Sequence, residues 1–418
     1  MSFEPACGGA NVIEFGNAGH GPESPLSVRG ESSHHRRVRV QQTLPAGCEP
    51  ECRGCRHRTL SMAASVAQKE GYLQRVLERW RTVLQRVRSP RDDQRYGYRD
   101  RVTLNARCDE AAAWRFGMMR RDELIPIHDC PVHSARVNSL VALLRATLPP
   151  HANFPLAYLH VAGGQATLII KARNYEPAVL DALRAGLPAT GIEGLWVHCH
   201  ASAGRKLFAR SGWYLDWGAP DSLDAAGLVH GPAAFQQLLP DLHAESVALA
   251  REHLDPAPGV AVLDLYCGIG STLRQWVQAG ASACGVELAG GAVDCARSNA
   301  PGAVVLRGTC EQRLPQVREW WHRGTHSRRA CYVNPPRSGL EPLLLEALAH
   351  KLRPDRLAYL SCSAGTLARD LAALEATGYE VCSIAPFDFF PGTHHVECLA
   401  LLALAPARGQ RKDSHASF

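Results

Sequence analysis

No apolar run in this chain reaches the roughly 18 residues that a membrane-spanning helix needs, which excludes such a helix from the sequence reading. Residues 1–11 lack both a basic stretch and an apolar stretch of the kind that opens a secretion signal, so a cytoplasmic protein with no membrane partner is expected. Extreme charge is also missing. Of 418 residues, 21% are charged and 46% hydrophobic, an ordinary globular balance. The net charge of +6 is compatible with a polyanionic partner and does not require one. No internal repeat is visible. Fifteen cysteines in a reducing compartment should be free thiols, metal ligands or catalytic groups and not disulfides. The length calls for two folded domains plus tails.

Residues 1–45 are poor in apolar periodicity and rich in Gly, Ser, His and Arg, with a basic cluster at 34–39. They are expected to be a disordered or irregular extension. Residues 46–240 read as a mixed α+β unit. Helical spacing runs over 61–87, 138–148 and 178–185, and strand-like pieces lie at 98–107, 157–161, 166–170 and 195–198. Over 241–405 the pattern becomes regular. Strands at 260–265, 283–287, 303–306, 330–333 and 356–360 alternate with helices at 271–278, 291–299, 341–351 and 366–377. Two successive strands, 379–386 and 396–402, close the unit. This alternation specifies a doubly wound α/β sheet, Rossmann-like, whose final strand pair suits an added antiparallel edge strand. Residues 406–418 form a polar tail.

The loop Asp264-Leu-Tyr-Cys-Gly-Ile-Gly-Ser271 joins a strand to a helix. Its glycines, Gly268 and Gly270, allow close backbone approach to a ligand, and the helix start offers free N–H groups. Glu287 ends the next strand, where a carboxylate would accept hydrogen bonds from ribose hydroxyls. The third glycine of the dinucleotide fingerprint is absent, which favours S-adenosylmethionine over a nicotinamide cofactor.

Cys362 stands at the carboxyl end of a strand, the edge where α/β sheets bind ligands, and ahead of a helix start whose positive end would favour a thiolate. The rigid Asn334-Pro-Pro-Arg337 loop ends the preceding strand. Glu397 opens the last strand. A thiol and a late carboxylate beside a nucleotide-type loop suit covalent catalysis with proton removal. In that chemistry a thiolate adds to C6 of a uracil, C5 takes a methyl group, and a carboxylate removes the C5 proton.

Four segments carry a family resemblance: Leu263-Asp-Leu-Tyr-Cys-Gly-Ile-Gly, Val333-Asn-Pro-Pro-Arg-Ser-Gly, Ser361-Cys-Ser-Ala-Gly-Thr-Leu-Ala-Arg-Asp and Phe389-Phe-Pro-Gly-Thr-His-His-Val-Glu. In this order they resemble the signature motifs of the RNA uracil-5 methyltransferase family, over about residues 46–404. The resemblance implies a class I methyltransferase fold with a smaller α+β central domain, S-adenosylmethionine as cofactor and RNA as partner. It implies Cys362 as nucleophile and Glu397 as general base. It also implies cofactor contacts by Gln237, Tyr266, Gly268, Gly270, Ser271, Glu287 and Asn334. Ser271 stands where Asn is common, Leu239 where the glutamine motif carries Asn, Ser363-Ala364 where Asn-Pro often follows the nucleophile, and Asn334 where Asp is frequent.

Cys48, Cys52 and Cys55 lie close together, with Cys130 far downstream. Their spacing suits a [4Fe–4S] cluster or a zinc ion, with Cys108 as an alternative fourth ligand. The ribosomal-RNA branch that the chain resembles carries an iron–sulfur cluster with Cys-Pro at the last ligand. This implies an iron–sulfur cluster here and 23S rRNA, more than tRNA, as substrate, acted on by a monomer. No oligonucleotide-binding barrel precedes the cysteines, so RNA contacts are expected from Arg99, Arg101, Arg205, Lys206 and Arg210. The rival readings are an amino-group methyltransferase, a cytosine-5 methyltransferase and a non-enzymatic iron–sulfur RNA-binding protein with a relic cofactor domain.

Overall fold

A computed structural model describes residues 43–204 and 206–405. The basic cluster at 34–39, the tail 406–418 and Arg205 lie outside the described residues.

Helix α1 (Met62–Val76) starts where the Ser61 hydroxyl accepts the Ala64 N–H. Helical spacing led to an expected helix over 61–87, yet α1 ends at Val76. The chain then turns, and residues 83–88 run beside an edge strand of the larger sheet. Gln85 N–H donates to Ile384 O (2.8 Å) and Arg88 N–H to Pro386 O (2.8 Å). Hydrogen bonds to a sheet edge outcompete continuation of the helix, and they cover an edge that would otherwise stand unpaired. Leu73, Leu77 and Trp80 belong to the core under the larger sheet.

The smaller sheet is built from β1 (Arg101–Cys108), β2 (Trp114–Arg120), β3 (Glu123–Pro126), β4 (Leu156–Ala162), β5 (Gln165–Ile170), β6 (Gly194–Cys199) and β7 (Trp213–Gly218). Their order is β3-β2-β1-β4-β5-β6-β7. Only β5 and β6 pair in parallel. Helices α2 (Ala135–Thr147) and α3 (Asp181–Gly186) cover it, and Leu140, Leu144, Phe116 and Leu159 are fully buried between the layers. Strands β2, β3 and β7 were not expected from the sequence. The short hairpin β8 (Ser222–Leu223) and β9 (Val229–His230) follows.

The larger unit runs α4 (Pro240–Leu254), β10 (Val260–Leu265), α5 (Ser271–Gln278), β11 (Ser282–Glu287), α6 (Gly290–Asn299), β12 (Val304–Arg307), α7 (Cys310–His322), β13 (Arg328–Val333), α8 (Pro342–Ala347), β14 (Arg356–Ser361), α9 (Ala364–Glu375), β15 (Tyr379–Phe387) and β16 (Glu397–Leu404). The sheet order is β12-β11-β10-β13-β14-β16-β15. Six strands run in one direction, and β16 enters antiparallel between β14 and β15. This is the Rossmann-like sheet of class I methyltransferases that the strand alternation indicated, with one correction: the antiparallel strand was expected at the edge, and β16 instead lies between β14 and β15, with β15 at the edge. Strands buried on both faces need continuous apolar runs, and β10 (VAVLDL) is buried throughout. The topology places the ends of β10, β11, β13 and β14 and the start of β16 along one edge. Among the described residues no helix is long and apolar enough to cross a membrane.

Candidate functional site

Gly268 and Gly270 both adopt left-handed backbone conformations (φ 55° and 81°) between β10 and α5. A Cβ on Gly270 would stand 3.0 Å from the Ala296 Cα, so only glycine lets the loop pack against α6. A Cβ on Gly268 would meet nothing, so that face of the loop is open to a ligand. Tyr266 also has positive φ (61°), a strained setting for a bulky residue. Its buried hydroxyl sits beside the Cys310 thiol and the Glu341 backbone.

Glu287 sits at the end of β11 and accepts the Gly268 N–H (3.1 Å) and the Ala289 N–H (2.7 Å). Burial nevertheless holds its carboxyl above the usual range. Ser271 opens α5, and the Asn334 N–H donates to Leu265 O (3.2 Å), which joins the end of β13 to the loop. The open glycine face and the carboxylate on the neighbouring strand fit a nucleoside cofactor.

Two residues behind this loop escaped the sequence reading. Asp264 is fully buried and accepts the Thr272 hydroxyl (2.7 Å) and the Trp276 indole N–H (2.8 Å), which ties β10 to the first turns of α5. Burial pushes its pKa up to about 7. Asn299 donates to Ile269 O (2.9 Å) and exchanges hydrogen bonds with the Val229 backbone. It thereby staples the β8–β9 hairpin to the cofactor loop. Asp264 stands inside the quoted loop motif, where the sequence reading gave it no role, and Asn299 carries no motif signal because its partners Val229 and Ile269 are distant in sequence.

Cys362 and Glu397 come together through sheet register. Ser361 of β14 stands opposite Cys398 of the antiparallel β16, so the next residues, Cys362 and Glu397, meet at the same end of the pair. The carboxylate of Glu397 raises the thiol's pKa, and the Arg337 guanidinium, hydrogen-bonded to Cys362, lowers it. Burial outweighs both, and the thiol is pushed up to about 11. The start of α9, expected to favour a thiolate, follows Cys362 directly, and the half-buried position of the thiol outweighs it. Ser363, where the family often has Asn, caps α9 by accepting the Thr366 N–H (3.4 Å).

Glu397 is 6% exposed, and burial lifts its pKa to about 7 against the opposing pull of Gln237 and Arg337. The Gln237 amide donates to its Oε2 at 3.5 Å, while the buried Gln237 Oε1 has no partner. Gln237, expected at the cofactor, therefore touches the carboxylate as well. Arg337 acts on both Cys362 and Glu397, and the sequence reading passed over it. Its place directly after the rigid Asn-Pro-Pro turn was the available signal. The arrangement can host a thiol addition and a proton removal at one point, with a carboxyl poised near neutrality.

Cys48, Cys52, Cys55 and Cys130 line one pocket together with Gly47, Arg58, Pro131, Pro391 and Gly392. The thiols of Cys48, Cys55 and Cys130 are raised first by burial, and they also interact with one another and with Cys52. Arg58 donates to Glu49 O (3.2 Å) and reaches the Cys48 sulfur (4.0 Å). Cys108 ends β1 outside the pocket lining. Among the described residues no group of three His, Cys, Asp or Glu side chains is gathered tightly enough to hold a single ion. Arg99 and Arg101 are half-buried, each with an enclosed Nε, and Arg101 lies 5.0 Å over the exposed Phe235 ring. Lys206 and Arg210 are exposed.

Residues 322–404 match the model of the tRNA (uracil-5-)-methyltransferase family. A 23S rRNA (uracil(1939)-C(5))-methyltransferase RlmD of Halomonas elongata is 29% identical, covering 89% of this chain and 81% of that protein. The RlmD of an Enterobacter species is 28% identical over 84% of this chain and 80% of its own length. A tRNA (uracil-54, C5)-methyltransferase of Pyrococcus abyssi, solved with S-adenosyl-L-homocysteine, superposes with a TM-score of 0.62 at 22% identity, covering 85% of this chain and 86% of that one, which establishes the shared fold. The family model, these relatives and the shared fold all indicate an S-adenosylmethionine-dependent RNA (uracil-5-)-methyltransferase.

Proposed function

We propose that this enzyme methylates C5 of a uridine in 23S rRNA through a covalent adduct between Cys362 and C6 of the base. The single observation that carries the mechanism is the meeting of Cys362 and Glu397 at the ends of paired strands, with Arg337 acting on both. Cys362 gives its proton to solvent water and its sulfur bonds to C6, and the electron pair of the C5–C6 double bond moves to C5, while Glu397 stays ionised for the later step. Arg337 offsets the charge on the sulfur as it forms. S-adenosylmethionine, held by Gln237, Tyr266, Gly268, Gly270, Ser271, Glu287 and Asn334, supplies the methyl group that C5 takes up. Glu397 then accepts the C5 proton, the C5–C6 double bond re-forms and the C6–sulfur bond breaks. A carboxyl near pKa 7 is suited to both accepting and releasing that proton at neutral pH.

The preference for 23S rRNA rests on the RlmD relatives, which match most of this chain, together with the four-cysteine pocket. Four thiols around a pocket suit a [4Fe–4S] cluster. A single zinc ion would instead draw all four sulfurs to about 2.3 Å from one point. The cluster would lend the chain folding energy and not redox chemistry, since methyl transfer moves no net electrons. Residues 46–240 are read as the RNA-binding part. Arg99, Arg101, Lys206 and Arg210 would meet phosphates, and the target base would be turned out of its stack to reach Cys362.

The test is RNA carrying 5-fluorouridine, incubated with enzyme and S-adenosylmethionine and run on a denaturing gel. Fluorine at C5 cannot leave as a proton, so elimination stalls and a protein–RNA adduct should appear with 23S rRNA and vanish in Cys362→Ala. An adduct on tRNA alone would move the substrate and keep the chemistry. No adduct on either RNA would overturn the covalent mechanism.

A further inference from the structure

Helix α1 buries one stripe, Ser65, Lys69 and Leu73, at the i, i+4, i+8 spacing of a core-facing ridge. An apolar side chain would be the ordinary occupant of its middle position. Lys69 stands there instead with its side chain fully buried, 2.5 Å from an Asp388 oxygen that is equally buried. Such a pair stabilises little beyond what two apolar side chains would, because both charges must leave water. Its geometric specificity is what distinguishes it.

Asp388 follows Phe387, and Phe387 is the register partner of Glu397. Residues 388–396 therefore form the loop that closes the β15–β16 pair at the candidate base. That loop is held from the N-terminal part of the chain at successive points. Lys69 Nζ also reaches Phe390 O (3.5 Å), the Tyr98 hydroxyl donates to Pro391 O (3.1 Å), and the His57 N–H donates to Gly392 O (2.9 Å). His57 is braced in turn by Ser65 of the same α1 stripe (2.9 Å). Among these only the Lys69–Asp388 contact is ionic and fully enclosed.

The geometry points to Lys69, acting through Asp388, as a positioning residue that fixes the 388–396 loop so that Glu397 can reach the C5 proton. This rests on Glu397 being the base, as proposed above. Lys69 touches neither substrate nor cofactor, so its loss should spare RNA binding, addition of Cys362 and methyl uptake, and should slow only the elimination that frees the thiol. The species ahead of that step is a methylated base still bonded to Cys362.

Lys69→Met, Glu397→Gln and the double variant Lys69→Met/Asp388→Asn would be assayed with ordinary uridine RNA and S-adenosylmethionine. Turnover, KM for RNA, thermal midpoint and the amount of denaturation-resistant adduct would be read together. The expected result for Lys69→Met is turnover reduced about 10- to 100-fold, the scale of a misplacement near 1 Å, with KM unchanged and adduct raised above the parent enzyme. The double variant leaves no unpaired buried charge, so it covers the case in which Lys69→Met does not fold, and it should show the same stalled adduct. A folded variant with parental turnover, or turnover that falls without adduct, would overturn the role of Lys69. If Glu397→Gln itself fails to accumulate adduct, the base assignment falls. If it accumulates adduct and the Lys69 variants do not, the base stands and the positioning role alone is lost.

Discussion

Cys362 and the four cysteines of the pocket place the same side chain in two kinds of surroundings. At both places burial raises thiol pKa values, that of Cys362 to about 11 and that of Cys55 also to about 11. The surroundings differ. Cys362 has one carboxylate and one guanidinium beside it, so its anion has a nearby cation and the proposed base stands beside it. The pocket thiols also have guanidiniums near them, Arg58 at Cys48 and Arg99 at Cys55, but no carboxylate acts on these two; their other charged neighbours are one another, and ionising one makes the next harder to ionise. A set of mutually repelling thiols is relieved by a shared cation, whereas a thiol between Glu and Arg is equipped for reversible bond formation. Neighbours, and not the shift itself, separate the proposed ligand set from the proposed nucleophile.

The largest expected effect breaks the comparison at Cys362. Cys362→Ala should lower methylation by at least about three orders of magnitude with the thermal midpoint nearly unchanged, measured by methyl incorporation and calorimetry. Next comes its partner. Glu397→Gln should cost about 10²–10⁴-fold in turnover, and equal turnover in the variant would remove the base assignment.

The pocket should respond in the opposite manner. Cys52→Ser should lose bound metal and several degrees of thermal midpoint before it affects adduct formation per folded molecule. Elemental analysis finding iron with acid-labile sulfide, and not zinc, is the expected outcome.

A smaller effect sharpens the electrostatic half of the contrast. Glu397 has a folded pKa near 7 against 4.5 ordinarily, so the native state holds the proton more tightly than the unfolded chain. Its contribution to stability is fully present below about pH 4.5 and is lost as pH rises through 7. Glu397→Gln should therefore stabilise the protein at pH 8 relative to the parent and leave it unchanged at pH 5, a difference in which the buried histidines cancel. Methylation should run the other way, rising from pH 6 to 9 as Glu397 and then Cys362 ionise. The smallest effect is expected at the exposed Lys206, where Lys206→Ala should weaken RNA binding by less than about tenfold and reduce its salt dependence by about one unit of slope.

Much of the larger unit was legible because its strands are buried on both faces and alternate with helices, which leaves a local pattern at each step. The strand ends carrying Tyr266, Glu287, Asn334 and Cys362, and the strand start at Glu397, followed from that. The smaller sheet was half legible. Strands β2, β3 and β7 mix polar and apolar residues in short runs, and their pairing is set by partners elsewhere in the chain. The end of α1 was misjudged because the segment after it obeys an edge strand about 300 residues away, at Ile384 and Phe387. Arg337 had only its place after the Asn-Pro-Pro turn to mark it, and the Lys69–Asp388 pair gave no local sign of its importance, since a charge reads the same whether it is solvated or enclosed.

By itself the sequence determined the doubly wound architecture, the order of the glycine loop, the Asn-Pro-Pro turn, the thiol and the late carboxylate, and the presence of four cysteines able to share a ligand. These are properties of spacing and residue type along the chain. Only the tertiary structure decided that Cys362 rests protonated, that Glu397 titrates near neutrality, that Gln237 contacts that carboxylate, and that the Glu397 loop is tied to α1 and to the cysteine segment. Each of these depends on burial and on partners brought together by folding, and desolvation and through-space charge are set by distance in space and not along the chain.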